Sequence, residues 1–173
     1  MGHDAAGLTL VFFRPKPPIR RTGKRVEVNL GPDERALLQL LTTELRDVLT
    51  HDASDPGLRR LFPTAYPNDA QRDAEYQILA RHELIDGRLA AIDTMQATVG
   101  STSLTDHELQ AWMTTINQLR LVLGTRLEIG EDDPDDLEGP EDPEDPEYSE
   151  FQQRLIYHWL TGVLALIIDA TRL

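Results

Sequence analysis

Residues 105–127 read TDHELQAWMTTINQLRLVLGTRL. Thr105 and Glu108 stand three apart, the spacing of a capping box, in which a hydroxyl and a carboxylate exchange hydrogen bonds with the first free backbone N–H groups of a helix. Leu104 and Leu109 flank the cap as a hydrophobic staple. Trp112, Ile116, Leu119 and Leu123 then recur at four, three and four residues, one face of an α-helix. The pattern predicts a helix to about Leu127, ended before Gly130. Gly124 inside it costs about 1 kcal/mol relative to Ala, which points to a close helix crossing.

Outward from this helix the same logic repeats. Gly31-Pro32-Asp33-Glu34 opens a helix, with Pro in the first turn and acids at the positive end of the dipole. Its stripe is Leu37, Leu41, Leu45 and Val48, thickened by Leu38 and Leu49, and it runs to about Thr50. After Asp55-Pro56-Gly57 comes an irregular or single-turn stretch, Leu58 to Tyr66. Asn68 and Gln71 have capping-box spacing before a long helix, about Asp69 to Ala97, with Ile78, Ile85, Leu89 and Ile92 as its stripe. Ser149 and Gln152 form a third box before a last helix, apolar nearly all round from Leu155, of the kind that is central or lies in a subunit interface. Ahead of all four helices, Leu8–Phe13 is β-prone. Val26, Val28 and Leu30 alternate with polar residues, the period of a half-buried strand. The intervening 14–25 segment is too long and proline-rich for a two-residue turn. The expected fold is mainly α, a four-helix bundle-like single domain with a short N-terminal β-hairpin. Its parts are a hairpin with a basic loop (8–30), three main helices (32–127), an acidic loop (130–148) and an apolar C-terminal helix (149–171).

Composition bounds the chemistry. The chain has 173 residues, 17 Lys+Arg against 30 Asp+Glu, a formal charge of −13 and no cysteine. Without cysteine it has no disulfide, thiolate zinc site, iron–sulfur cluster or thiol switch of its own. Residues 131–150, EDDPDDLEGPEDPEDPEYSE, hold 12 acids and no base, so the other 153 residues carry 17 bases and 18 acids. The acidity belongs to one segment. Proline and like charges there predict a solvated, disordered loop. A cation sponge, a nucleic-acid mimic or a self-screening tail are sharper alternatives, and calcium-loop spacing is absent. Residues 14–25, RPKPPIRRTGKR, have the opposite bias. Arg14, Lys16, Arg20, Arg21, Lys24 and Arg25 are candidates for a nucleic-acid or partner contact. The plainer reading is a solvated hairpin loop that keeps a sheet edge soluble. A mobile acidic loop is expected to compete with DNA for this segment and keep DNA affinity low.

Catalytic signatures are missing: there is no phosphate-binding Gly loop, no G-x-S-x-G elbow and no H-E-x-x-H. None of His3, His51, His82, His107 and His158 is paired with another histidine at helical spacing, and each reads as structural. The sequence-level expectation is therefore a non-enzyme with no metal and no cofactor. Arg120 and Arg126 interrupt an apolar run, and a buried arginine calls for a carboxylate. Glu75 is the candidate partner. Trp159, Val163 and Ile167 are candidate interface residues on the last helix, consistent with a homodimer or a regulatory protein partner. The longest apolar run, 159–168, is too short to span a bilayer, which takes about 20 residues. No signal peptide is visible, so no membrane role and a cytoplasmic location are expected.

Three strings carry a resemblance. They are Asp55-Pro56-Gly57-Leu58-Arg59-Arg60-Leu61-Phe62-Pro63-Thr64-Ala65-Tyr66 with Asp73-Ala74-Glu75-Tyr76, then Asn117–Leu127, NQLRLVLGTRL, and Tyr157-His158-Trp159-Leu160-Thr161. In this order, and with an acidic segment before the last helix, the chain from about Val11 to Leu173 resembles the actinobacterial AosR-like family, formerly a domain of unknown function often encoded beside the protease adaptor ClpS. The resemblance implies oxidation-linked transcriptional regulation, or a protein-interaction module in ClpS-associated proteolysis without a DNA role. The family's cysteine-pair switch has no counterpart here, and no functional residue is carried over.

Overall fold

The computed structural model describes residues 18–52, 54–130 and 138–172. It is mainly α, with four α-helices and a small antiparallel sheet among the described residues. The chain order is β1 (Ile19–Thr22), β2 (Arg25–Val28), α1 (Pro32–His51), a 3₁₀ turn (Pro56–Arg60), α2 (Ala70–Thr98), β3 (Ser103–Leu104), α3 (Asp106–Arg126) and α4 (Tyr148–Thr171). The sheet order is β1-β2-β3. Ile19 faces Val28 across the hairpin, and Val26 faces Leu104 on the other side. Each strand thus sends its apolar residues inward, where Ile19, Val26, Val28 and Leu104 are buried.

The hairpin corrects the sequence reading. Its first strand is Ile19–Thr22 and its turn is the two residues Gly23 and Lys24. Gly23 takes φ 62 at the first turn position, where a type II′ turn favours glycine. The strand IRRT shows one apolar residue and two arginines, so its period is invisible in hydropathy. Arg20 and Arg21 are strand residues, not loop residues. Leu8–Phe13, Arg14 and Lys16 lie outside the described residues, as does 131–137 of the acidic segment. Residues 138–147 lack helix and strand, and all but Pro140 are exposed.

The core lies under the sheet and between the helices. Leu38, Leu45 and Leu49 come from α1, Ile92 and Met95 from α2, Leu109, Trp112 and Ile116 from α3, and Trp159, Leu160, Val163 and Ile167 from α4. The α4 residues are no more than 1 % exposed. Trp159, Val163 and Ile167 are therefore core, not an interface, in a helix on which α3 and β1 pack. The long α2 buries only Ile92 and Met95. Ile78, expected on its buried stripe, is 78 % exposed, because the first half of α2 runs beyond the bundle.

Two helix starts also differ from expectation. Asp69, not Asn68, caps α2 by accepting from Arg72 N at 3.0 Å. Helix α4 starts at Tyr148, and Gln152 donates to the Tyr148 hydroxyl at 2.8 Å instead of closing a box with Ser149. The α3 box is present as read. Thr105 N and Oγ1 both donate to Glu108 Oε2, at 2.7 and 2.9 Å, and Glu108 N donates back to Thr105 Oγ1 at 3.3 Å. These bonds, first the backbone one and then the hydroxyl, hold the Glu108 carboxyl below its ordinary value of 4.5. A lowered folded-state value means the box stabilises above the ordinary value and loses that contribution as pH falls through the folded one. Thr105→Ala should cost about 1 kcal/mol at neutral pH. Glu108→Gln should flatten the acid limb of a stability-versus-pH curve below the ordinary value, and an unchanged limb would contradict this assignment.

Candidate functional site

Of the six basic candidates, the four described ones stand on the hairpin, and three are engaged within the fold. Arg20 donates to Glu27 across the hairpin at 2.6 and 2.9 Å. Arg21 reaches Ala170 O at the end of α4 and Asp106 at the start of α3, each at 2.6 Å. Arg25 donates to Ser103 Oγ at 2.9 Å. Lys24, exposed in the turn, has no hydrogen-bond or ion-pair partner among the described residues. The sheet edge is thus not a row of free cations. Arg21, with its side chain 17 % exposed, ties three elements together with charge-assisted bonds. Arg21→Ala should cost about 1–3 kcal/mol, the range for hydrogen bonds to charged groups, and thermal unfolding will show it. Arg20→Ala, with both partners half-exposed, should cost under about 1 kcal/mol.

The strings that carry the resemblance meet in space. Asp55 Oδ1 accepts from Gly57 N at 2.6 Å, and Oδ2 accepts from Arg126 at 3.1 Å. Arg60 donates to Ile129 O at 2.9 Å. A Cβ at Gly124 would stand 2.9 Å from the Tyr157 ring and 3.4 Å from Arg60. Chain entry into the 3₁₀ turn, the end of α3 and the first half of α4 are locked at one corner. The arginine pairing differs from expectation here. Arg126 pairs with Asp55, and Glu75 instead accepts from Gln71 at 3.3 Å on the exposed part of α2. Glu75 is exposed on the first half of its helix. Arg120 stands 6.0 Å from the centroid of Tyr157, the outer limit of a cation–π contact, and has no carboxylate partner among the described residues.

Arginine and aromatic rings recur beside this corner. Arg81 and Arg88 stack on Phe62, at 4.3 and 5.2 Å, and Arg88 donates to Leu61 O at 2.6 Å. Burial pulls the Arg88 guanidinium below its ordinary value. Arg72 covers Tyr66 at 4.3 Å. Asp73 accepts from Ala65 N and Tyr66 N, fixing the loop before α2. No periodic pattern marks these stacks; they depend on where the 59–66 loop folds back on α2.

Two apolar surfaces remain. On the projecting half of α2, Ile78 and Leu79 are 78 % and 80 % exposed. Between α1, α3 and α4 is an open groove of about 250 Å³ walled by leucines of α1 and by Leu123 and Ile156. Among the described residues no three His, Asp or Glu side chains cluster to hold a metal ion. No described helix is long and apolar enough to cross a membrane.

Comparison with known proteins places this architecture. Residues 16–171 match the model of the family described as "Domain of unknown function (DUF2017)". The Oxidative stress regulator AosR of Mycobacterium tuberculosis is 31 % identical over 154 residues, covering 66 % of this chain and 71 % of that protein, and the protein of the same name from Mycobacterium bovis matches equally. The Putative oxidative stress regulator AosR of Mycobacterium leprae is 33 % identical over 98 residues, 47 % of this chain and 45 % of its own. No solved structure matches. With a family match running from the hairpin to the end of α4, the chain belongs to the DUF2017 family and is AosR-like.

Proposed function

We propose that this chain is a non-enzymatic, cytoplasmic regulator of transcription that acts through contact with another protein and carries no redox switch of its own. The observation that carries the reading is the 31 % identity over 154 residues to proteins named oxidative stress regulators. With no cysteine in the chain there is no thiolate for an oxidant to attack, and the proposed signal reaches it through its amount or through a partner's thiols. Surface chemistry favours a protein over DNA as the contact. The hairpin bases are largely paired internally. Ile78 and Leu79 stand on a helix that extends past its own core, and an exposed apolar pair on a rigid helix suits packing against another protein.

The test is genetic. The gene is deleted in the organism that encodes it, and transcripts are measured after hydrogen peroxide. The response should change, the intact gene should restore it, and Arg20→Ala with Lys24→Ala should restore it as well. Ile78→Asp with Leu79→Asp should fold and fail to restore it. An unchanged response in the deletion strain overturns the regulatory reading. Loss of complementation by the Arg20/Lys24 variant alone transfers the contact from protein to nucleic acid.

A further inference from the structure

The groove between α1, α3 and α4 is apolar and open. Leu37, Leu40, Leu41 and Val48 of α1 form one wall, and Leu123 and Ile156 face them. Leu40 is 56 % exposed, and the others are half-buried. Its volume, about 250 Å³, lies below the ~300–1,000 Å³ typical of small-ligand pockets, and suits a few side chains. Glu44 is the carboxylate of the rim, and Arg126 is already paired with Asp55.

We propose that this groove is the docking site of the chain's own segment Leu8–Phe13, LTLVFF. Three observations point to that occupant. The first is where the described chain begins. Pro18 O accepts from Asn29 N at 2.6 Å, two residues before Gly31 caps α1, so the chain upstream of Pro18 leaves beside the entry to the groove's main wall. The second is reach. Phe13 is five positions before Pro18, and the chain between them spans at most about 17 Å. Leu37 is six residues past Gly31, about 9 Å along the helix. Six extended residues cover about 20 Å, and Leu37 to Val48 spans about 16 Å. The third is chemistry. Five of the six residues are large and apolar, and Arg14 and Lys16 follow them. On α1, Asp33 and Glu44 are exposed acids near the two ends of the wall.

Tethering decides between this segment and a second copy. A short linker holds a ligand at an effective concentration of order millimolar, far above the micromolar range in which a second copy would compete. The groove is then occupied within the molecule, and an external apolar peptide binds only by displacing residues 8–13. This does not depend on the regulatory reading above.

The cysteine-free chain makes the test direct. In the full-length protein Leu40→Cys is combined with Phe12→Cys, and separately with Phe13→Cys, since alternate residues of an extended segment face opposite sides. The control combines each with Leu79→Cys. Arg46 of α1 pairs with Asp93 of α2, and Leu79 is fourteen residues before Asp93, about 21 Å along the helix. Oxidised glutathione is added and products are separated without reductant. One Leu40 pair should close an intramolecular disulfide in most molecules, at least tenfold more than its control. Equal closure in pair and control, no closure, or bridges only between molecules overturns the proposal, the last assigning the groove to a second copy. In the full chain, Phe12→Asp with Phe13→Asp should keep the helical spectrum and raise fluorescence of an apolar-surface dye severalfold. Unchanged dye binding also overturns it.

Discussion

Trp159→Ala should lower the unfolding free energy by about 3–5 kcal/mol, the range for deleting a large buried aromatic. A domain of this size has only about 5–15 kcal/mol in total, so the variant should be near or below its folding limit at growth temperature. The indole is 1 % exposed and stands among Leu160, Val163 and Ile167 of its own helix and the residues of α3. Its Nε1 has no acceptor among the described residues. Trp159→Phe therefore removes an unpaired buried donor together with some volume, and should cost far less than alanine. Trp112 is the contrasting case. Its Nε1 donates to Thr98 Oγ1 at 2.8 Å, joining α3 to the end of α2, so Trp112→Phe loses a bond as well as volume. Chemical denaturation of these three variants and of Trp112→Ala should rank both alanines worst and place Trp112→Phe below Trp159→Phe. Light scattering should show no change of oligomeric state in Trp159→Phe, as expected of a core residue. A change of association with unchanged stability would return Trp159 to an interface.

That contrast shows what was legible in the sequence. Period and cap chemistry are local, so α3 reads correctly from Thr105 to its end, and Gly124 announces its crossing. Apolar residues all round α4 state that every side is covered, but not by what. The answer needed the sheet, since β1 packs on the C-terminal half of α4. The first strand is not legible because Ile19–Thr22 has a single apolar residue beside two arginines, whose partners lie on other elements or across the hairpin. Arg35 was not legible at all. It donates from Nε to Leu30 O at 3.1 Å and from its terminal nitrogens to Val28 O, Val99 O and Ser101 O, knotting β2, the start of α1 and the end of α2. Nothing in the stretch around residue 35 distinguishes it from a solvated helix residue. Likewise, Asp55 precedes a turn by its own local chemistry, but its bond to Arg126 spans 71 positions. The family strings pick out the corner that these long-range bonds build.

Gly124→Leu should destabilise by about 1–3 kcal/mol or more, the cost of overpacking a fitted interior, and it should do so against helix propensity. In an isolated helix the change would gain about 1 kcal/mol, because glycine is the poorer helix former. Here even a Cβ meets Tyr157 Cε2 at 2.9 Å and Arg60 at 3.4 Å. The tyrosine ring is a rigid plate on α4, and Arg60 is held by Ile129 O, so the crossing has to open. Gly124→Ala is the informative intermediate, with the propensity gain and the smaller clash nearly cancelling. Gly87 is the reference: it is on α2 with nothing within 4 Å of a Cβ, so Gly87→Ala and Gly87→Leu should both stabilise. The clash is tested by a cycle. Tyr157→Ala alone leaves a gap and costs stability, yet combined with Gly124→Leu it provides the room the leucine lacks. The double variant should be more stable than the sum of the two single changes by about 1–2 kcal/mol, within the range of contacting pairs. Simple additivity would mean that Gly124→Leu acts within α3 alone, and that α3 and α4 are not held together at this point.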